Sequence, residues 1–278
     1  MAPLAPAGFA VREAGRRTLL AREALLERVL AAGLDDPSTW ETLAAASPGG
    51  PGRGASGRLA LPGSVRVVSK RMRRGGWAGP IWRDRFLGSA RLLRNLSVPL
   101  EAMRRGVNTA APAAMLIEEG PPGLRRAWLA VEEIEGAEDL LTRLSCPRGL
   151  SEGELRAALR AVKEMHDRGV EHRDLNLGNL LVRSRDGGLP QAFVVDLDRA
   201  RLHDTALPVR KRRAALLRME RSYLKRFGDG GPLADPCARA WAPAYAGDDR
   251  DLAAVLAAPS ILERASLAIH RLGWRRER

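Results

Sequence analysis

Two short stretches limit what this chain can fold into more than any others. His172-Arg173-Asp174-Leu175-Asn176-Leu177-Gly178-Asn179 is followed by the apolar run Phe193-Val194-Val195 and then by Asp196-Leu197-Asp198. The pattern H-R-D-x-x-x-x-N, apolar residues, a possible turn at Arg185 to Pro190, more apolar residues and D-x-D asks for a fold that gathers three oxygen-bearing side chains from two loops. That acid, amide and acid set suits phosphoryl transfer from a magnesium nucleotide. An Asp near the acceptor hydroxyl orients it or takes its proton, an Asn five residues on turns back to a metal ion, and a second Asp bridges the metal that holds the phosphates. His172 and Arg173 also have a plainer reading, as parts of a solvated loop with a structural histidine.

Such chemistry needs a segment that grips the nucleotide, and one lies upstream. Residues 47–57 are rich in glycine and lead into Arg58-Leu59-Ala60-Leu61, Pro62-Gly63-Ser64 and Val65-Arg66-Val67-Val68-Ser69-Lys70, a loop followed by strand, turn and strand. Glycines let backbone N–H groups approach phosphate oxygens, and a lysine ending the facing strand neutralises the α and β phosphates. Gly52, Arg53, Gly54 and Lys70 are therefore the nucleotide candidates. Read alone, the glycines make a linker and Lys70 one more cation beside Arg71, Arg73 and Arg74.

Val67 to Gly76, Arg83-Asp84-Arg85-Phe86, His172 to Asn179 and Val195-Asp196-Leu197-Asp198-Arg199-Ala200-Arg201-Leu202 together resemble the lipopolysaccharide kinase (Kdo/WaaP) family. The resemblance runs from about Arg53 to Leu202. It implies an α+β, protein-kinase-like bilobal fold with a small β-rich N-lobe and a reduced, mostly helical C-lobe. It also implies ATP-dependent phosphorylation of a sugar hydroxyl, on Kdo or heptose of the lipopolysaccharide inner core. On that footing Asp174 is the catalytic residue, Asn179 and Asp196 hold Mg2+, and Lys70 meets the nucleotide phosphates. His172, Arg173 and Asn176 support the loop, and Asp198 backs a metal ligand or pairs with Arg199 or Arg201. Glu132 and Ile134, near the end of an apolar strand over residues 127–134, are adenine-site candidates by position. One place departs from the pattern: where a glutamate would pair with Lys70, the chain has Leu93-Arg94-Asn95-Leu96. Asn95 substitutes, Glu101 does, or the lysine site is degraded.

Lys and Arg number 46 against 33 Asp and Glu, a net charge of +13, which favours an anionic partner. Arg71, Arg73, Arg74, Arg83, Arg85, Arg91 and Arg94 alternate with Trp77, Ile81, Trp82, Phe86 and Leu87, a pattern suited to peripheral binding on an anionic inner-membrane surface. The acceptor expected there is lipopolysaccharide or a lipid A precursor glycolipid; nucleic acid is the less favoured partner. A second basic stretch, Arg210 to Phe227, places Leu216, Met219, Tyr223 and Phe227 on one helical face, either packed inward or resting on a bilayer. No apolar run is long enough to span a membrane, residues 1–10 do not read as a secretory signal, and Cys146 and Cys237 make no metal or disulfide framework, which points to the cytoplasm.

The remaining expectations concern the scaffold. An N-terminal helical extension covers 1–36, with a helix over Val11 to Ala32, the N-lobe 37–135 and the C-lobe 136–278. Trp40 to Leu43 reads as a first strand, Arg91 to Arg105 as a helix that Pro99 kinks or divides, and Glu152 to Arg168 as a helix with His166 in the core. Little chain follows Asp196 and it holds no A-P-E segment, which favours a small acceptor over a peptide. The alternatives are a protein Ser/Thr kinase and a catalytically weak kinase-like module on an anionic membrane or RNA.

Overall fold

The computed structural model describes residues 5–46, 56–73, 84–121, 123–184, 188–228, 231–233, 235 and 237–258. The chain divides into two compact units, one of residues 1–103 and 110–134, the other of residues 104–109 and 135–278.

The first unit is an antiparallel sheet in the order β1-β2-β6-β7-β4-β3, with β5 also on β7. The strands are β1 (Phe9–Ala14), β2 (Arg17–Arg22), β3 (Ser56–Leu61), β4 (Val65–Arg71), β5 (Phe86–Leu87), β6 (Pro112–Glu119) and β7 (Leu124–Glu132). Period-two alternation sorts their side chains onto two cores. Leu19, Ala21, Val67, Leu116, Trp128 and Ala130 pack with α1 (Leu26–Ala31) and α2 (Pro37–Ala46). Leu20, Met72, Met115, Ile117 and Leu129 pack with Leu92 and Leu96 of α3 (Ala90–Arg104). Lys70 lies opposite Leu129 in the register, so it belongs to the face that carries α3.

Two expectations are corrected here, and a third, on Pro99, is narrowed. The helix expected over Val11 to Ala32 is instead the β1–β2 hairpin, a short 3-10 turn (Glu23–Leu25) and α1. β2 pairs with β6 along Arg17 to Ala21, so these residues complete the sheet rather than extend from it. The overlooked signal is Gly15, at φ 59 in a two-residue hairpin turn. Leu19, Leu20 and Ala21 are consecutive and all buried because β2 is covered on both faces, which hides the alternation a strand would show. The strand expected at Trp40 to Leu43 is part of α2. Pro37 starts that helix, where its missing N–H costs nothing, and Trp40 buries its ring while its Nε1–H donates to Leu34 O at 2.9 Å. Pro99 does not divide α3, which runs through it with the ring buried.

The second unit holds α4 (Leu140–Ser145), α5 (Glu152–Asp167), α6 (Val209–Phe227), α7 (Ala238–Ala246) and α8 (Arg250–Ala257). β10 (Leu180–Arg183) pairs with β11 (Gln191–Val194) and β8 (Glu138–Asp139), and β9 (Val170–Glu171) pairs with β12 (Arg201–Leu202). α5 opens with a capping box in which the Ser151 hydroxyl accepts from Glu154 N–H and the Glu154 carboxylate accepts from Ser151 N–H. His166 is buried as expected, its Nδ1 2.8 Å from Tyr245 Oη. Burial, reinforced by the Arg212 charge, pushes it down to about 3, so it stays neutral at ordinary pH. The basic helix α6 turns Leu216, Met219 and Tyr223 inward, and Phe227 stacks on Tyr223 at 5.1 Å.

Candidate active site

Three hydrogen bonds of the loop from His172 to Asn179 converge on the backbone of one residue. Asp174 N–H donates to His172 Nδ1 at 3.2 Å, and both Asn176 Nδ2 and Asn179 Nδ2 donate to Asp174 O at 3.0 Å. Asn176 Oδ1 accepts Gly178 N–H at 2.9 Å and caps the 3-10 turn Leu177–Asn179. Ahead of β9, which leads into this loop, stands Gly169, at φ 72, where a Cβ would lie 2.3 Å from His203 O. With its main chain fixed from three sides, the Asp174 carboxylate is exposed, and among the described residues it accepts no hydrogen bond and pairs with no cation. A carboxylate so placed can accept a proton from, or orient, an incoming hydroxyl.

His172 joins this loop to the second acidic stretch. Its buried ring donates from Nε2 to Val195 O at 3.1 Å, because Nδ1 is occupied in accepting from Asp174 N–H. Burial lowers its pKa against the opposing pull of Val195 O, Asp196 and Asp174, so the ring stays neutral and keeps this tautomer. The structure thus gives His172 an orienting role.

Asn179 and Asp196 become neighbours through the strand register. β10 and β11 pair from Leu180 with Val194, so the residues just before β10 and just after β11 lie at one end of the hairpin. Val195 N–H donates to Asn179 O at 2.9 Å. Asp196 then takes a left-handed conformation, φ 64 and ψ 50, uncommon for a residue other than glycine though tolerated by Asp. Backbone strain of this kind collects where a side chain must be aimed. Asp198 follows in the 3-10 turn Leu197–Arg199, half-buried.

This donor set fits magnesium. Asn179 spends Nδ2 on Asp174 O, which leaves Oδ1 for a hard cation, and Asp196 adds carboxylate oxygens. Among the described residues no group of three His, Cys, Asp or Glu could form an all-protein cage. Mg2+ is ordinarily held by one or two protein groups, with water and substrate phosphates completing the octahedron.

The nucleotide candidates divide differently. Lys70 is half-buried on β4. Gly52, Arg53 and Gly54 lie outside the described residues, as do Arg74, Trp77, Ile81, Trp82 and Arg83 of the basic cluster. Glu132 uses its side chain in an ion pair with Arg22 and its N–H on Ala111 O at 2.8 Å. Glu133 pairs with Arg58 at 3.0 Å and Arg66 at 3.1 Å. Among the described residues no hydrogen bond holds the N–H or C=O of Ile134. Asn95 is buried, donates from Nδ2 to Leu92 O at 3.0 Å and Arg91 O at 3.3 Å, and leaves Oδ1 without a partner. It therefore makes no hydrogen bond to Lys70.

Two residues beside the loop escaped sequence reasoning. Ser222 Oγ accepts Leu177 N–H at 3.4 Å, and Arg218 Nη2 donates to His172 O at 3.2 Å. Both project from α6, one helical turn apart, and no signal in the order of residues placed them beside the loop.

Residues 40–245 match the model of the lipopolysaccharide kinase (Kdo/WaaP) family. The chain belongs to this family. It is 31% identical over 203 residues to 3-deoxy-D-manno-octulosonic acid kinase of Xanthomonas campestris pv. campestris, covering 71% of this chain and 77% of that one. The corresponding kinase of Pasteurella multocida is 31% identical over 165 residues, 58% of this chain and 67% of the relative, and that of Vibrio parahaemolyticus 28% over 171 residues, 60% and 68%. A solved structure of WaaP in complex with acyl carrier protein aligns with 86% of this chain and 95% of its own at 22% identity and a TM-score of 0.47. Membership in this family makes the chain a kinase, a phosphotransferase with an alcohol group as acceptor.

Proposed function

We propose that this member of the Kdo/WaaP family transfers the γ-phosphate of ATP to a hydroxyl of Kdo or heptose on the inner core of lipopolysaccharide or a lipid A precursor. The observation that carries this reading is the Asp174 loop. Its backbone is pinned by His172, Asn176 and Asn179 while its carboxylate is left outward, in a chain whose curated relatives are 3-deoxy-D-manno-octulosonic acid kinases.

Asp174 orients the sugar hydroxyl for in-line attack and takes its proton. Lys70 contacts the α and β phosphates, Gly52, Arg53 and Gly54 cover them, and the backbone at Ile134 serves adenine. Asn179 and Asp196 hold Mg2+, which when bound neutralises charge on the phosphate oxygens. Because the protein forms no covalent bond to the phosphoryl group, positioning and charge neutralisation supply most of the rate.

Among the described residues no helix is long and apolar enough to cross a membrane. A lipid-linked acceptor and the excess of basic residues support a peripheral position on an anionic inner-membrane surface. The deciding experiment follows labelled γ-phosphate from ATP with a Kdo-containing lipid A precursor and a generic protein offered side by side. Label on the glycolipid that disappears in Asp174→Ala is the expected result. Label on the protein alone would overturn the acceptor.

A further inference from the structure

The arginines withdrawn from solvent in the helical unit are not all treated alike. Arg143 donates from Nη2 to Glu154 Oε1 at 2.6 Å, and Arg212 pairs with Asp167. Each keeps its charge beside a carboxylate. Arg218 does not. It is half-buried, its Nε is buried without a partner, and its one hydrogen bond goes to a peptide carbonyl, His172 O, at 3.2 Å. Among the described residues no carboxylate stands within ion-pair reach of it. Arg22, Arg71 and Arg126 also bury their Nε, yet each has an acid, Glu132 for the first and Asp84 for the other two. Arg183 too buries an unpartnered Nε without an acid, but it donates to Gln191 Oε1 and lies over the Phe193 ring.

The surroundings of Arg218 add positive charge. On α6 it shares a stripe with Arg221, Ser222 and Lys225 at helical spacing, and Ser222 fixes that stripe against the catalytic loop through Leu177 N–H. Burial first, then the charge of Arg221, lowers the pKa of Arg218, and Arg173 adds to this against the opposing pull of Glu171 and Asp174. Holding His172 O needs only one N–H, which a neutral side chain could provide. Keeping a guanidinium partly desolvated among like charges costs free energy that an arriving anion would offset.

We propose that Arg218, flanked by Arg221 and Arg173, binds an anionic group of the acceptor, carboxylate or phosphate, and thereby sets the attacking hydroxyl at Asp174. The planar guanidinium fork matches either oxyanion. The proposal rests on the reading of the acceptor as an acidic glycolipid, and it makes Arg218 a substrate-binding residue that selects acidic sugars over neutral ones.

The test has two arms. In the first, the full chain is saturated with a non-hydrolysable ATP analogue and Mg2+, and its thermal unfolding is followed as acetate or inorganic phosphate is added. Wild type is stabilised, while Arg218→Gln and Arg221→Gln lose that stabilisation. No stabilisation of the wild type by either anion would overturn the anion site whatever the acceptor proves to be. In the second, initial rates are measured with the Kdo-containing lipid A precursor, with its carboxylate-esterified form and with its dephosphorylated form. Arg218→Gln raises the acceptor KM about 10- to 100-fold, as expected for loss of a charged hydrogen bond, and leaves the KM for ATP near wild type. The modified lipid on which wild type and variant become equal identifies the anion as carboxylate or phosphate. A loss confined to kcat and equal on all three lipids, or a raised KM for ATP, would reduce Arg218 to a loop-positioning or nucleotide residue. A wild type that stabilises on anions but transfers nothing to this lipid would fault the glycolipid reading and leave the anion site standing.

Discussion

Glu154 and Asp174 are both carboxylates of the helical unit, and the chain handles them in opposite ways. Glu154 is buried and saturated: Arg143, Ser184, Ser151 Oγ and Ser151 N–H all donate to it. Burial opposes its ionisation, but those hydrogen bonds outweigh burial and hold the carboxyl at about 2. Asp174 has its main chain saturated and its carboxylate left outward. The contrast separates structure from chemistry. An acid whose lone pairs are spent inside the protein ties elements together, here α4, α5 and the end of β10, whereas one whose backbone alone is tied can spend its carboxylate on a ligand.

Asp174→Ala is expected to lower kcat by roughly 10²- to 10⁴-fold, the usual worth of a positioned acid or base, with a urea midpoint near wild type. A loss of stability like that of a Glu154 variant would mean that the Asp174 carboxylate has a structural partner. Next in size, Glu154→Ala leaves Arg143 with the half-exposed Glu138 alone and leaves Ser151 N–H and Ser184 Oγ without their acceptor, and it is expected to cost about 3 kcal/mol in urea unfolding, while phosphoryl transfer by the folded fraction persists. A change below about 1 kcal/mol would show that the network is ornamental.

Acid unfolding sharpens the same point. The folded-state pKa of Glu154 is depressed from an ordinary 4.5 to about 2, so its contribution is fully present above pH 4.5 and is lost as pH falls toward 2. That contribution is about 3 kcal/mol by linkage. The stability of Glu154→Gln, followed by urea unfolding at successive pH values, should therefore fall less steeply over this window than that of wild type. Parallel curves would show the carboxyl to be unperturbed. The smallest expected effect belongs to Asn95→Leu. It removes a buried amide whose Oδ1 has no partner, so stability should change by less than about 1 kcal/mol and the KM for ATP should stay near wild type. A large rise in that KM would restore Asn95 as the partner of Lys70.

What could be read without coordinates followed from how local each constraint is. The β3–β4 hairpin, the helix α5, the inward face of α6 and the structural role of His166 were legible because period and turn chemistry act over a few residues. The N-terminal hairpin and α2 were not. β2 is covered on both sides and so loses the alternation that marks a strand, and the short run at Trp40 reads as strand although Pro37 marks a helix start. In the candidate site, Asp174, Asn179 and Asp196 stand out because their identities and order are set by chemistry. Arg218 and Ser222 were invisible as neighbours of the loop because they lie about 45 positions away in the chain.

Which side chains can do phosphoryl chemistry, and the order in which they occur, is a matter of residue identity, since an acid, an amide and a lysine are properties of residues. Folding settles which of those groups are already satisfied and which remain for a ligand. It spent Asn179 Nδ2 and Asn176 Nδ2 on one carbonyl, fixed the His172 tautomer through Val195 O, and gave Arg143 and Arg212 their acids while withholding one from Arg218. Satisfaction of a polar group depends on what folding brings within about 3 Å of it, and that distance is not written in the order of residues.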